Sequence, residues 1–262
     1  MDRFIMRMAG RVLSVSVLGL AVALALVSPA RGQARRDRVL YLTHSAGFHH
    51  DVLPLSREIL ERLGEESGAF DVTATEDVSA LAPERLHRYK SVIFYTSGEL
   101  PMSDREKKGL LDFVRSGRGF VGVHSATDTF YLWRDYRDLI GGYFNNHPWH
   151  QPVRVVVADP ANPLVAFLGT SFEIADEIYQ ISDFDERRSH VLLRLDPASV
   201  DLTKNDVHRR FYGWPLAWTR SFGRGRVFYA ALGHDEAVWR DPRYQRLLRN
   251  AVLWSLRKQV AE

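Results

Sequence analysis

The chain has 262 residues, 45% hydrophobic and 26% charged, which suits one large globular domain or two small ones and excludes disordered and fibrous classes. Its formal charge of +3 sets 35 Lys and Arg against 32 Asp and Glu, but Arg3, Arg7, Arg11 and Arg31 oppose only Asp2 in the first 34 residues, and setting these aside leaves 31 of each sign. The pI near 9.2 therefore reflects the leading segment and argues nothing about nucleic acid, while the absence of cysteine removes disulfides, Cys-ligated zinc, iron–sulfur clusters and thiol nucleophiles.

Residues 1–34 combine basic Arg3, Arg7 and Arg11, an uncharged run from Val12 to Val27, and a small-residue exit at Ser28-Pro29-Ala30 or Gly32-Gln33-Ala34. This is the layout of a secretory signal peptide, with an apolar run short of the roughly 20 residues that span a bilayer. The expected product is a single domain over residues 35–262, periplasmic or secreted, with no stable membrane anchor after cleavage.

In the mature chain Arg38 to His44 reads as a buried strand, and Leu55, Ile59, Leu60 and Leu63 have helical spacing in a segment stopped by Gly64. Phe70 to Thr75 predicts a second strand, Pro83 to Tyr89 a short helix and Ser91 to Thr96 a third strand. Ser103 and Glu106 form a capping-box pair before a helix facing inward with Leu110, Leu111, Phe113 and Val114, and Gly119 to His124 is a fourth strand. Strands separated by helices predict parallel pairing with right-handed crossovers, hence an α/β fold with a doubly wound, mostly parallel sheet. Further on, Val153–Val157, Phe172–Ile181, Val191–Leu195, Leu216–Ser221 and Val227–Leu232 read as strands and Asp241–Arg257 as a helix. The second half thus carries β-rich additions.

In a parallel sheet, ligands collect where strands end at their carboxyl edge. Here strand one runs out into His49, His50 and Asp51, strand four into His124, Ser125 and Asp128, and the Val227 strand into His234 and Asp235. An imidazole on a tight strand-to-helix turn is held rigidly, as a base or ligand must be. Asp51 could equally cap the following helix, and His124 could be a core residue. As an exit residue His124 is expected to contribute little to packing, so its replacement by Ala should cost only about 1–2 kcal/mol. Asn145 to His150, after Gly141-Gly142, reads as a loop rich in donors that places His147 and Trp149 as contacts. Glu177 and Tyr179 share one face of a strand, with Asp176 and Ile178 on the other. The resulting candidates are His124 as base with His49, His234 and Glu177 in catalysis, and His50, Ser125, Asp128, His147, Tyr179, Asp235 and Trp149 in substrate binding. His49, His124, His147, His234 and Glu177 also offer ligands for zinc, manganese or iron, although no H-x-x-x-H spacing supports them, so no cofactor is firmly predicted and a divalent metal stays open.

The blocks Gly47-Phe48-His49-His50-Asp51, Gly119 to Asp128, Gly141-Gly142-Tyr143-Phe144 with His147-Pro148, Asp176-Glu177-Ile178-Tyr179, and Pro215 to Trp218 followed by Gly223 to Tyr229 and Leu232 to Asp235 resemble, in order, the trehalose-utilisation (ThuA-like) family over Val39 to Leu256. The resemblance implies a flavodoxin-like fold shared with class I glutamine amidotransferases. It implies a role in catabolism of trehalose or a related disaccharide, with a sugar or keto-sugar as substrate. Amidotransferases carry a nucleophilic cysteine after the strand ending here at Gly122-Val123, where this chain has His124-Ser125, so glutamine hydrolysis through a thioester is excluded. A serine nucleophile would need a base and oxyanion donors.

Three functions follow as alternatives: an exported isomerase, lyase or hydrolase using histidine and carboxylate acid–base chemistry on a sugar derivative, a non-catalytic sugar-binding module, and a metal-dependent hydrolase. The expected partner is a small carbohydrate, without nucleic acid, and a homo-oligomer stays open.

Overall fold

A computed structural model describes Met1, residues 35–208 and residues 212–260. The leader expected over residues 1–34 lies, apart from Met1, outside the described residues. Residues 35–262 form a compact unit of their own. Among the described residues no helix is long and apolar enough to cross a membrane.

The parallel half of the sheet comprises β1 (Asp37–Leu42), β2 (Phe70–Thr75), β3 (Ser91–Phe94), β4 (Gly119–Val123) and β9 (Gly225–Ala230). Apart from edge strand β2, which alternates, their apolar runs are continuous, as strands covered on both faces require, and every residue of β3 and β4 is buried. Antiparallel strands β8 (Pro215–Phe222), β7 (Ser189–Leu195), β5 (Tyr143–Val157) and β6 (Ser171–Ser182) extend it, giving the order β2-β1-β3-β4-β9-β8-β7-β5-β6. The first four strands and β9 reproduce the flavodoxin-type order, which reverses direction beside β1.

Six helices accompany the sheet among the described residues: α1 (Leu53–Ser67), α2 (Pro83–Leu86), α3 (Asp104–Arg115), α4 (Arg134–Ile140), α5 (Glu236–Arg240) and α6 (Pro242–Ser255). α3 starts as its sequence dictates: Glu106 N–H donates to Ser103 Oγ while the Ser103 N–H donates to Glu106 Oε2 at 2.7 Å. α6 opens on Pro242 with Asp241 accepting from Arg243 N–H at 2.8 Å. α1 runs past Gly64 and ends on Gly68 in a left-handed conformation. Gly64 is instead a point of close approach, since a Cβ there would lie 2.7 Å from the Phe70 carbonyl oxygen.

The larger departure concerns Asn145 to His150, which the structure places inside β5 and not in a loop. Register with β6 slips between Phe144 and Asn146 and again between Asn146 and Trp149. Such bulges let Pro148 stand within a paired strand and re-aim neighbouring side chains. β6 ends the strand order, yet its Glu177 and Tyr179 touch side chains that follow β4 and β9. The β5–β6 ribbon therefore curls back over the carboxyl ends of the parallel strands.

Candidate functional site

His124 begins a one-turn 3-10 helix directly after β4, with φ of +44°. Left-handed backbone is costly for a β-carbon-bearing residue, of order 1–3 kcal/mol, and points its side chain sharply out of the strand end. The ring is fully buried. Its Nδ1 lies 2.6 Å from the Ala231 carbonyl, which can only accept, so Nδ1 carries the proton. Nε2 is then the acceptor in the neutral ring and takes a hydrogen bond from Tyr179 Oη at 2.9 Å. This corrects the expectation that an exit residue packs lightly.

Around it stand His50 (4% exposed), following β1, and His234, following β9, with ring centroids 5.0 and 5.3 Å from that of His124 and 5.2 Å from each other. Glu177, 9% exposed, binds them together: Oε2 lies 3.4 Å from His124 Nε2 and 3.3 Å from His234 Nδ1, and Oε1 lies 3.2 Å from His147 Nδ1. The His147 side chain is 48% exposed and opens this carboxylate to the outside. One donor atom each from His50, His124 and His234 falls within 4.8 Å of the others, so these three could hold a metal ion.

The turn carrying His234 is fixed from every side. Buried Asp176 accepts from the Gly233, His234 and Asp235 N–H groups at 2.7, 3.1 and 3.2 Å. Tyr95 Oη and Trp239 Nε1 donate to the Gly233 carbonyl, each at 2.8 Å, and Tyr244 Oη donates to that of Leu232 at 2.8 Å. His150 Nε2 donates to Asp235 at 2.6 Å, with its ring 5.3 Å from that of His234.

Charge follows this geometry. Burial, reinforced by His124 and His234, drives the His50 pKa down to about 3, so its ring is neutral near pH 7. Burial opposes ionisation of Glu177, but its contacts with His124 and His234 outweigh it and hold the carboxyl well below the usual range. The same contact raises the pKa of His234 against the effect of burial. Burial raises Asp176 and Asp128, and pushes the Tyr179 phenol far up.

The structure brings His124, His234, Glu177, His50, His147, Tyr179 and, through His150, Asp235 to one place. Asp128 stands beside them within electrostatic reach of His124, Glu177 and His147, bonded to Tyr131 Oη at 2.6 Å. His49 is elsewhere: it lines a separate cleft with Thr43, Leu53, Arg57 and Glu76, so of the adjacent pair it is His50 that points inward. Trp149 is fully buried, donates to the Asp201 carbonyl and packs edge-on against Trp214, which makes it core rather than a stacking surface. Ser125 Oγ is buried without a hydrogen-bond partner, so no base is in place to activate it.

Residues the sequence left unmarked also contribute. Phe48, 61% exposed, lies with its ring 4.8 Å from that of His50 and stacked at 6.2 Å on His234. Asp176 was seen only as the opposite strand face, and His150 only as part of a loop. Adjacency to His49-His50 was the available signal for Phe48. For Asp176, whose partners are backbone groups, the signal was its place in the Asp176-Glu177-Ile178-Tyr179 block.

The sequence model of the ThuA family, described as trehalose utilisation, matches residues 38–255. No curated protein sequence matches the chain. Among solved structures, a ThuA-like protein from Bacteroides uniformis is 26% identical with a TM-score of 0.72, over 87% of this chain and 95% of that one. A ThuA-like protein from Parabacteroides merdae is 18% identical with a TM-score of 0.69, over 87% and 92%. A β-galactosidase from Bacillus circulans sp. alkalophilus shares the fold alone, at 14% identity and a TM-score of 0.52, over 86% of this chain and 32% of that longer one.

Proposed function

The chain belongs to the ThuA, trehalose utilisation, family, and from that premise we propose an exported enzyme of carbohydrate catabolism that acts on a sugar or keto-sugar derived from a trehalose-like disaccharide by moving a proton next to its carbonyl. The observation that carries this reading is the Glu177 carboxylate, which meets buried His124 and partly buried His234 through one oxygen and half-exposed His147 through the other. Proton abstraction beside a carbonyl needs a base at the carbon and positive or hydrogen-bonding groups at the oxygen. His147 is the base, held by Glu177, which stabilises the imidazolium as it forms. His124, the first choice from sequence, has both ring nitrogens engaged and acts as a positioning residue. Charge developing on the sugar carbonyl oxygen is met on the side of Glu177 where His234 lies. Asp128, whose carboxyl burial raises, suits the donor for a leaving glycosidic oxygen. The exposed ring of Phe48 supplies a flat face for a pyranose.

The test is proton exchange. The protein is incubated in D2O with trehalose and with its keto derivative, and NMR follows the C–H adjacent to the carbonyl. Turnover or deuterium wash-in is expected, and His147→Ala and Glu177→Gln should each slow it by about 10²–10⁴-fold. Saturable binding with neither exchange nor product would leave the sugar-binding module instead. Export is tested by cell fractionation, which should recover a shortened chain starting near Arg35 outside the cytoplasm.

A further inference from the structure

Three atoms in the site form a nearly equilateral triangle. His124 Nε2 and His234 Nδ1 are 3.3 Å apart, His124 Nε2 and Glu177 Oε2 3.4 Å, and His234 Nδ1 and Glu177 Oε2 3.3 Å. Ligands of a tetrahedral ion bonded at about 2.0–2.2 Å are separated by about 3.3–3.6 Å, so the triangle has the size of one face of such a tetrahedron. His50 brings a further ring nitrogen to the same place, within 4.8 Å of its two imidazole partners.

The hydrogen bonds around these ligands fit the same geometry. His124 Nδ1 is taken by the Ala231 carbonyl, so Nε2 is the ring nitrogen turned toward Glu177. Tyr179 Oη lies 2.9 Å from the same Nε2, and a bound cation would replace that hydrogen bond. An imidazole whose second nitrogen donates to a backbone carbonyl is the usual support of a metal ligand, and the Asp176 clamp on the His234 turn serves the same end.

We infer that His124 Nε2, His234 Nδ1 and Glu177 Oε2, together with His50, form a site for one divalent cation of the zinc class. Nitrogen-rich, thiolate-free donors suit zinc, iron(II) or cobalt(II) better than magnesium or calcium, which prefer oxygen. Such a cation would lie beside the His147–Glu177 pair, where it can polarise the oxygen of a sugar carbonyl. That catalytic consequence rests on the function proposed above; the binding site itself rests on the geometry alone.

The untagged full chain, stripped with chelator and desalted, is titrated with cobalt(II) alone. The expected result is a visible band of tetrahedral cobalt that saturates at one equivalent and is displaced by zinc, with one zinc per chain by elemental analysis. His234→Ala and Glu177→Gln should each weaken zinc binding by at least about 10–100-fold, whereas His190→Ala, at the surface pair with Asp159, should leave it unchanged. Folding of each variant is checked by circular dichroism, and for one that fails to fold the wild-type titration decides. A folded wild-type chain that takes up no cation at about 10 μM free metal overturns the inference, as does wild-type affinity in folded His234→Ala. Full turnover of the keto-sugar by chelated protein would overturn the cation's part in the reaction and keep the enzyme. Zinc uptake without any sugar chemistry would do the reverse.

Discussion

Asp176→Asn removes charge, and one acceptor, from the carboxylate that holds the turn at Gly233 to Asp235. Oδ1 takes the His234 and Asp235 N–H groups and Oδ2 takes that of Gly233. An asparagine can place its oxygen on either side, but its amide then faces at least one backbone N–H, donor against donor. Hydrogen bonds to charged groups contribute about 1.5–3 kcal/mol each and an unsatisfied buried donor costs about 1–3 kcal/mol. Two of the three bonds survive in weakened form and the uncharged amide is easier to bury, so the expected net loss is about 2 kcal/mol. For a domain of this size that lowers Tm by about 4–8 °C. Urea unfolding of both proteins, with chelator present so that no ion contributes, gives the free energies. A second readout follows from placement, since a loosened turn displaces His234 and activity should fall further than stability. An Asp176→Asn protein within about 0.5 kcal/mol of wild type, with unchanged activity, would refute the claim that this carboxylate builds the site.

Gly233→Ala should cost about 3 kcal/mol, because φ is +127° and the new Cβ would lie 2.5 Å from the Tyr244 hydroxyl; an unchanged urea midpoint would contradict it. Asp185 pairs with Arg220 (side chains 10% and 1% exposed), and Arg220 and Arg188 overcome the effect of burial to hold its carboxyl below 3.8. Its stabilisation is therefore present above the unfolded pKa and lost as pH falls through the lower folded value. Asp185→Asn should destabilise by about 3 kcal/mol at pH 7 by stranding a buried guanidinium, and the gap to wild type should close as the pH falls below about 4 in a series of urea titrations. His124→Ala should cost about 2–4 kcal/mol, since it empties a buried ring and strands the Tyr179 hydroxyl. His124→Gly should be the more stable of the two by about 1 kcal/mol if the positive φ is strained; the opposite order in calorimetry would remove the strain argument.

The parallel half of the fold was legible because strands buried on both faces advertise themselves as unbroken apolar runs, and the Ser103–Glu106 cap was readable as local chemistry. The site was legible as far as strand exits could be found: His124 and His234 came from that rule and do meet, joined by Glu177, which alternation within its strand had marked. Which of His49 and His50 turns inward was not, because neighbouring loop residues differ by a backbone rotation that no spacing encodes. Asn145 to His150 looked like a loop because Asn and Pro are poor strand formers, and only pairing with β6 through two slipped registers makes them a strand. Tryptophan size suggested a stacking role for Trp149, whereas size is also what makes it valuable as core filling.

The curled β5–β6 ribbon has a consequence for how this chemistry is encoded. The imidazoles of His50, His124 and His234 come from the parallel scaffold, but the proposed base, His147, the counter-charge, Glu177, and the Tyr179 phenol bonded to His124 come from the appended hairpin. Reactivity is thus assigned by an accessory and not by the wound core. Exchanging that hairpin for one of equal length and bulge pattern but different polar residues would reprogram the centre while the underlying framework stayed as it is.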